Sequence, residues 1–528
     1  MSQTTAQLLG NIVTDFQINS QKELRLADSD SSNYVSLKSP ATVGSNVAWT
    51  LPGSDGSANQ YLKTDGSGVL SWGNDSVTPG AGSITAAMIS SGLKLVTTDA
   101  QNNTVVGINA GNSFTGTDAT NNTLIGYNAG TAITSGDYNV ALGSGSFIDN
   151  STGSNNIAIG YVALSNNTTG ADNIGVGYGS LETNTTGGNN VAIGRNALVA
   201  NTTGEQNVAF GGYALDANTT ADRNTGVGYQ ALSANTTGTR NVAVGGAALD
   251  ANTTGNYNSA VGSYALSSST TANNNVAVGD NALYDNTTGS ENTALGMNAL
   301  GDNTTASNNT GLGYNALRLN TTGAFNVAVG SAALDANSTG STNTAIGTSS
   351  LGSNTTASNN TAVGYDTLWA NTTGEQNTGI GRSSLQANTT GSYNTAVGYN
   401  SLTANTTGYS NQAFGYYALD ENTTGYENTA LGSRALQNNT TGTSNVAVGR
   451  DSLRLNTTGI NNVAVGHLSL AANTTGQQNT AIGKNALDAN TDQHNNSAVG
   501  YNALTTNTSG DKNTALGSGS LGLNTSGA

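Results

Sequence analysis

Asn394-Thr-Ala-Val-Gly-Tyr-Asn-Ser-Leu-Thr-Ala-Asn-Thr-Thr-Gly-Tyr-Ser410 is a 17-residue unit, and it decides the fold because the same pattern restarts at Asn122, Asn139, Asn156 and every 17 residues onward to Asn513. This gives 24 units, the last one residue short, with a looser copy opening at Asn103. The template is N-[TVI]-[AG]-[VIL]-G-x-x-[AS]-L-x-x-N-T-T-G-x-x. A unit this short cannot bury its own apolar face and must stack on its neighbours, so the repeat predicts an all-β, parallel β-solenoid or β-roll over residues 103–528. At roughly 4.8 Å per coil, the stack spans on the order of 115 Å.

Each position of the unit forms a column along the stack. Position 4 is aliphatic or Phe in all 24 units and position 9 is Leu in 22 of 24. These columns are read as two core ladders, with Val329 and Val397 in the first and Leu317, Leu334 and Leu402 in the second. A strand over positions 2 to 4 turns positions 2 and 4 to one face and position 3 to the other. Position 3 is nearly always Ala or Gly, which implies close approach of another surface, here expected to be a second copy of the chain. Gly at position 5 in every unit, as at Gly330, implies positive φ or a close backbone approach. Asn at position 12, as at Asn320 and Asn405, predicts a turn ladder in which stacked amides bond along the column.

The chain has 70 glycines, 9% charged residues and no cysteine, with a net charge of −16. Few bulky side chains mean a thin core, and the absence of cysteine removes disulfides and thiolate metal sites. The acidic balance disfavours nucleic acid and anionic membranes as partners. No stretch approaches the ~20 apolar residues of a membrane span, so no membrane insertion is expected. The first residues lack a basic segment followed by an apolar run, so no secretory signal is expected. Residues 1–75 are aperiodic, with short alternating stretches at 23–26, 34–37, 47–51 and 60–63 read as strands and Asp55-Gly56 and Asp65-Gly66 read as turns. Residues 76–102 read as a linker and cap, with a short helix expected from Ser83 through Leu93.

Candidate functional residues are sparse. Tyr recurs at position 6 in nine units, including Tyr399, Tyr416 and Tyr501. Aromatics just past a turn glycine can stack on sugar rings, and against this stands the plainer reading that they fill a groove between coils. Tyr417 adjoins Tyr416, and Trp369 is a lone large aromatic at position 10. Acidic side chains recur at position 10 but never in adjacent units, which avoids like-charge repulsion and argues against a metal column. His467 and His494 have no ligating neighbours in sequence. Catalytic, cofactor and metal sites are therefore expected to be absent. The Asn-Thr-Thr triplets match a glycosylation sequon, yet their fixed phase favours a structural corner.

The repeats, as in Asn394 to Gly408, resemble those of phage tail-fibre-like proteins. The run from Glu23 through Val43, continuing at Thr64-Asp-Gly-Ser-Gly-Val-Leu-Ser-Trp72, is similar to the start of marine phage fibre and appendage proteins. The Asn-x-Ala-Val-Gly core also resembles head repeats of trimeric autotransporter adhesins, which form trimeric parallel β-rolls. These resemblances imply a non-enzymatic homotrimeric fibre on a virion, attached by residues 1–75 to tail or baseplate proteins and presenting a stalk to a host cell-surface glycan. The alternative they leave open is a bacterial trimeric surface adhesin. Fibres of this kind often end in a chaperone domain removed after assembly, which the sequence up to Ala528 does not contain.

Overall fold

A computed structural model of the chain describes residues 24–27, 34–37, 50, 52–54, 57, 60–67, 69–74, 95–97, 101–114 and 118–527. The chain divides into two units, residues 1–90 and 91–528. In the first, β1 (Leu24–Ala27) pairs antiparallel with β2 (Tyr34–Leu37), and β3 (Gln60–Thr64) pairs antiparallel with β4 (Leu70–Asn74). The Asp65-Gly66 turn forms as expected. Gly66 takes φ of 82°, and the Asp65 carboxylate accepts the Ser67 hydroxyl at 2.7 Å and the Ser67 N–H at 2.8 Å, which hold its pKa below the ordinary value. Of the strand expected over 47–51, Thr50 bridges Val69. The rest of that strand, the Asp55-Gly56 turn and the helix expected from Ser83 to Leu93 lie outside the described residues.

The second unit is a parallel β-solenoid. β5 (Leu95–Thr97) runs antiparallel to β6 (Thr104–Val106) and covers the edge of the sheet. From β6 the sheet continues through β7 (Thr123–Ile125) to β30 (Thr514–Leu516), one three-residue strand per coil. The register never slips: Val191 pairs with Val208, Ala192 with Ala209 and Ile193 with Phe210. The strands occupy positions 2 to 4 of the unit, as the alternation predicts.

The phase of the core differs from the expectation. Position 3 points inward: Ala192, Ala328 and Ala396 are fully buried within their own coil, together with position 8 and the Leu of position 9, including Leu317, Leu334 and Leu402. Val329 and Val397, expected in the core, lie half-buried on the outer face of the strand. The close approach implied by the small residue at position 3 is supplied by the Leu of the same solenoid, not by a second chain. At Gly226, an added Cβ would meet Leu215 Cγ at 3.4 Å. A three-residue strand has one inward side chain, and facing a Leu across so thin a coil leaves room for Ala or Gly alone.

Polar groups inside the coil are satisfied by ladders. The position 1 amide of each unit accepts the next unit's position 1 N–H, as Asn173 does from Asn190 at 3.0 Å, and donates to its own position 15 carbonyl, as Asn190 does to Gly204 at 2.9 Å. The position 12 amides form a second ladder: Asn320 donates to Asn303 at 3.0 Å and Asn405 to Asn388 at 2.7 Å, and each also reaches the position 15 carbonyl of its own unit. These asparagines are buried with their donors used, which supports the structural reading of the Asn-Thr-Thr triplets. A third ladder stands at a position the repeat template leaves variable. A short acceptor at position 16 takes the position 16 N–H of the preceding coil, as Ser392 does from Glu375 at 3.0 Å and His494 Nδ1 from Gln477 at 3.0 Å.

The position 12 ladder is interrupted once in mid-stack. Ser269 stands where Asn is expected, and both its hydroxyl and Oδ1 of Asn252 are buried without a partner. Ser269→Asn is expected to stabilise the adjoining coils by about 1–3 kcal/mol, the cost of leaving such groups unpaired. Hydrogen exchange of coils 241–291 reads this directly, and unchanged or faster exchange there would refute it.

Candidate ligand-binding surface

Position 6 follows the position 5 glycine and leaves the coil at a corner, so its side chains stack at the spacing of the coils. Tyr399 and Tyr416 stack with ring centroids 5.6 Å apart and planes 18° apart. Tyr417 meets Tyr416 edge-on at 4.3 Å and Tyr399 at 5.7 Å. Its backbone lies in the left-handed region, φ 54°, which turns the side chain beside the neighbouring column. Arg382 lies over Tyr399 at 5.8 Å and over Tyr365 at 5.7 Å, within the ~6 Å reach of a cation–π contact. Tyr365, Arg382, Tyr399 and Tyr416 thus make one continuous ladder, with Tyr417 at its end.

A second ladder lies nearer the N-terminal end of the solenoid. Tyr161 and Tyr178 stack at 5.5 Å, and Arg195 continues the row between Tyr178 at 5.8 Å and Tyr213 at 5.6 Å. On sequence, Arg195 reads as a break in the tyrosine column, whereas it links the aromatic groups. The signal was present as Tyr365, Arg382 and Tyr399 at intervals of one unit. A further stacked pair, Tyr409 and Tyr426 at 4.8 Å, stands in column 16.

The other candidates do not join these groups. Tyr501 is exposed in column 6, five coils beyond Tyr416, and stacks on no ring among the described residues. Trp369, 48% exposed, lies in column 10 against Gly352, where an added Cβ would meet Trp369 Cδ1 at 3.2 Å. It covers a gap that the glycine leaves in the column, which accounts for it structurally.

The electrostatics of column 10 are governed by burial. It pushes the Asp420 carboxyl up from its ordinary value, with the Thr403 hydroxyl pulling the other way, and does the same to Asp216, Asp250 and Asp488. Folding favours the neutral form of these groups. Their contribution is therefore complete at low pH and is lost as pH rises through the raised values. Among the described residues, no group of three or more His or acidic side chains is placed to hold a metal ion.

The outer strand face runs along the whole stack. Columns 2 and 4 carry only Thr, Ser, Gln, Val, Ile, Leu and Phe, with no charge in any of the 24 units, in a chain whose net charge is −16. Val242 is 37% exposed, Val276 39% and Leu431 49%. Comparison with protein-family models, with curated proteins and with solved structures finds no match to the chain.

Proposed function

We propose that the chain is a non-enzymatic fibre protein of a bacterial virus, a homotrimer attached to tail or baseplate proteins through residues 1–75 and presenting its solenoid to a host-surface glycan. The observation that carries this reading is the charge-free outer strand face. At on the order of 50 Å² per outward aliphatic side chain, the ladder leaves roughly 1,600 Å² open, against about 300–600 Å² for the largest patch of an ordinary monomer. The partner best suited to a face that repeats once per coil is one with the same repeat, a second copy of this chain. The charge of −16 makes copies repel wherever it is carried, and this face carries none of it. The number three comes from the resemblance to trimeric repeats, while self-association comes from the face itself. Exposed aromatic ladders on the corners are suited to sugars, and three chains multiply weak contacts through avidity.

Sedimentation equilibrium of the purified chain is expected to give three times 52.7 kDa. The double variant Val242→Lys, Val276→Lys places like charges on the outer face and is expected to sediment as a folded monomer that adsorbs poorly to host bacteria. A monomeric parent chain would overturn the fibre reading, as would a double variant that assembles and adsorbs unchanged.

A further inference from the structure

Column 10 holds an open cleft of about 400 Å³ centred on Gly301. The neighbouring coils place Tyr284 on one side of the glycine and Arg318 on the other, with Tyr264, Asn281, Asn298 and Asp302 completing the lining. Gly301 and Gly352 occupy the same position of their units but differ in surroundings. The gap at Gly352 is covered by Trp369, whereas a Cβ at Gly301 would meet only backbone, nearest Asn298 O at 3.3 Å. Tyr284 is braced edge-on by Tyr264, with centroids 6.3 Å apart and planes at 73°. Arg318 is fixed by Asp335, Nε to Oδ1 3.0 Å.

We infer that this cleft binds an uncharged pyranose, one sugar residue of a surface glycan, with the ring's C–H face on Tyr284 and its hydroxyls on Asn281, Asn298, Asp302 and Arg318. The volume falls in the roughly 300–1,000 Å³ range of small-ligand clefts. A hydroxyl both donates and accepts, and the lining offers a carboxylate acceptor, guanidinium donors and two amides that do either. Charge decides against the alternatives. Asp302 shares its surroundings with Asp285, Asp335 and Arg318, so the acids outnumber the single base and repel a carboxylated or phosphorylated ligand. A quaternary ammonium would meet Arg318 in the same cleft. The inference deepens the host-recognition reading and rests on it only for the source of the sugar.

The full chain is titrated by calorimetry and saturation-transfer NMR with methyl glycosides of glucose, galactose, mannose and N-acetylglucosamine, with glucuronate and choline as charged comparators. Gly301→Gln fills the gap with a residue that column 10 already accepts at Gln386 and Gln437, and Tyr284→Ser removes the platform with one accepted at Ser233 and Ser267. At least one neutral glycoside is expected to bind the parent chain. Gly301→Gln is expected to abolish that binding with melting unchanged, and Tyr284→Ser to weaken it at least tenfold. No binding by any neutral glycoside, equal binding by Gly301→Gln, or preference for glucuronate or choline would each overturn the assignment. A Gly301→Gln fibre that loses sugar binding yet adsorbs fully to host cells would sever the cleft from host recognition while leaving the fibre reading standing. Failure of the parent chain to self-associate would strike the fibre reading alone.

Discussion

Leu317→Asp is expected to open the middle of the solenoid while Val329→Asp, twelve residues on, leaves the isolated coil intact. Leu317 is fully buried against the position 3 and position 8 columns of adjoining coils. Losing its side chain costs about 2–5 kcal/mol by analogy with large-to-small core changes. The aspartate then sits in a coil whose buried donors are already committed to the asparagine ladders, and an unpaired buried charge adds several kcal/mol more. Val329 stands on the outer face, where water or a partner chain meets it. In a stack each coil touches only its neighbours, so damage stays local and the remote coils hold. Limited proteolysis followed by mass spectrometry is expected to cut Leu317→Asp within coils 292–342 and to leave those coils of Val329→Asp as resistant as in the folded monomeric variant Val242→Lys, Val276→Lys. Equal sensitivity of the two variants would place both columns on one face and undo the observed phase.

That phase is not legible in the sequence, and the reason is physical. Period and strand limits follow from a 17-residue spacing and an alternation of three residues, and both are found where expected. Which side of a three-residue strand faces inward does not follow from hydrophobicity, because Val and Ile on the outer face are more apolar than the Ala within. Volume carries the missing information. In the first full unit Leu124 replaces the usual Ala at position 3 and Gly130 replaces the usual Leu at position 9, and a Cβ on Gly130 would lie 2.8 Å from Leu124 Cδ2. A compensating exchange of large and small side chains marks two columns as facing each other. Arg382 and Arg195 were hidden differently, since a charge in the tyrosine column reads as a break until the aromatic rings on both sides are placed. The Gly301 cleft depends on what the neighbouring coils put beside a missing side chain, and the contrast with Trp369 over Gly352 becomes visible only with rotamers in place.

Gly245 and Gly246 are adjacent, and the same substitution is expected to act on them with opposite sign. Gly245 stands at position 5 with φ of 141°, a conformation essentially restricted to glycine, and a Cβ there would lie 2.6 Å from the carbonyl carbon of Gly262 in the next coil. Gly262 is itself the position 5 glycine of its unit, so the clash is backbone on backbone and no side-chain rotation relieves it. Gly245→Ala incurs roughly 1–3 kcal/mol of conformational strain. It also loosens the ladder bonds Gly245 N to Val227 O and Gly262 N to Val244 O, both 2.8 Å, each contributing about 1 kcal/mol. Gly246 stands at position 6, where other units carry side chains from Ser to Tyr and Arg, with no positive φ and no atom within 4 Å of an added Cβ. Gly246→Ala only narrows the unfolded ensemble and is expected to stabilise by about 0.4–1 kcal/mol. Hydrogen exchange of coils 224–274 distinguishes the two: faster exchange in Gly245→Ala, unchanged or slower exchange in Gly246→Ala. If both variants behaved alike, the glycine at position 5 would be held by something other than the geometry of coil on coil.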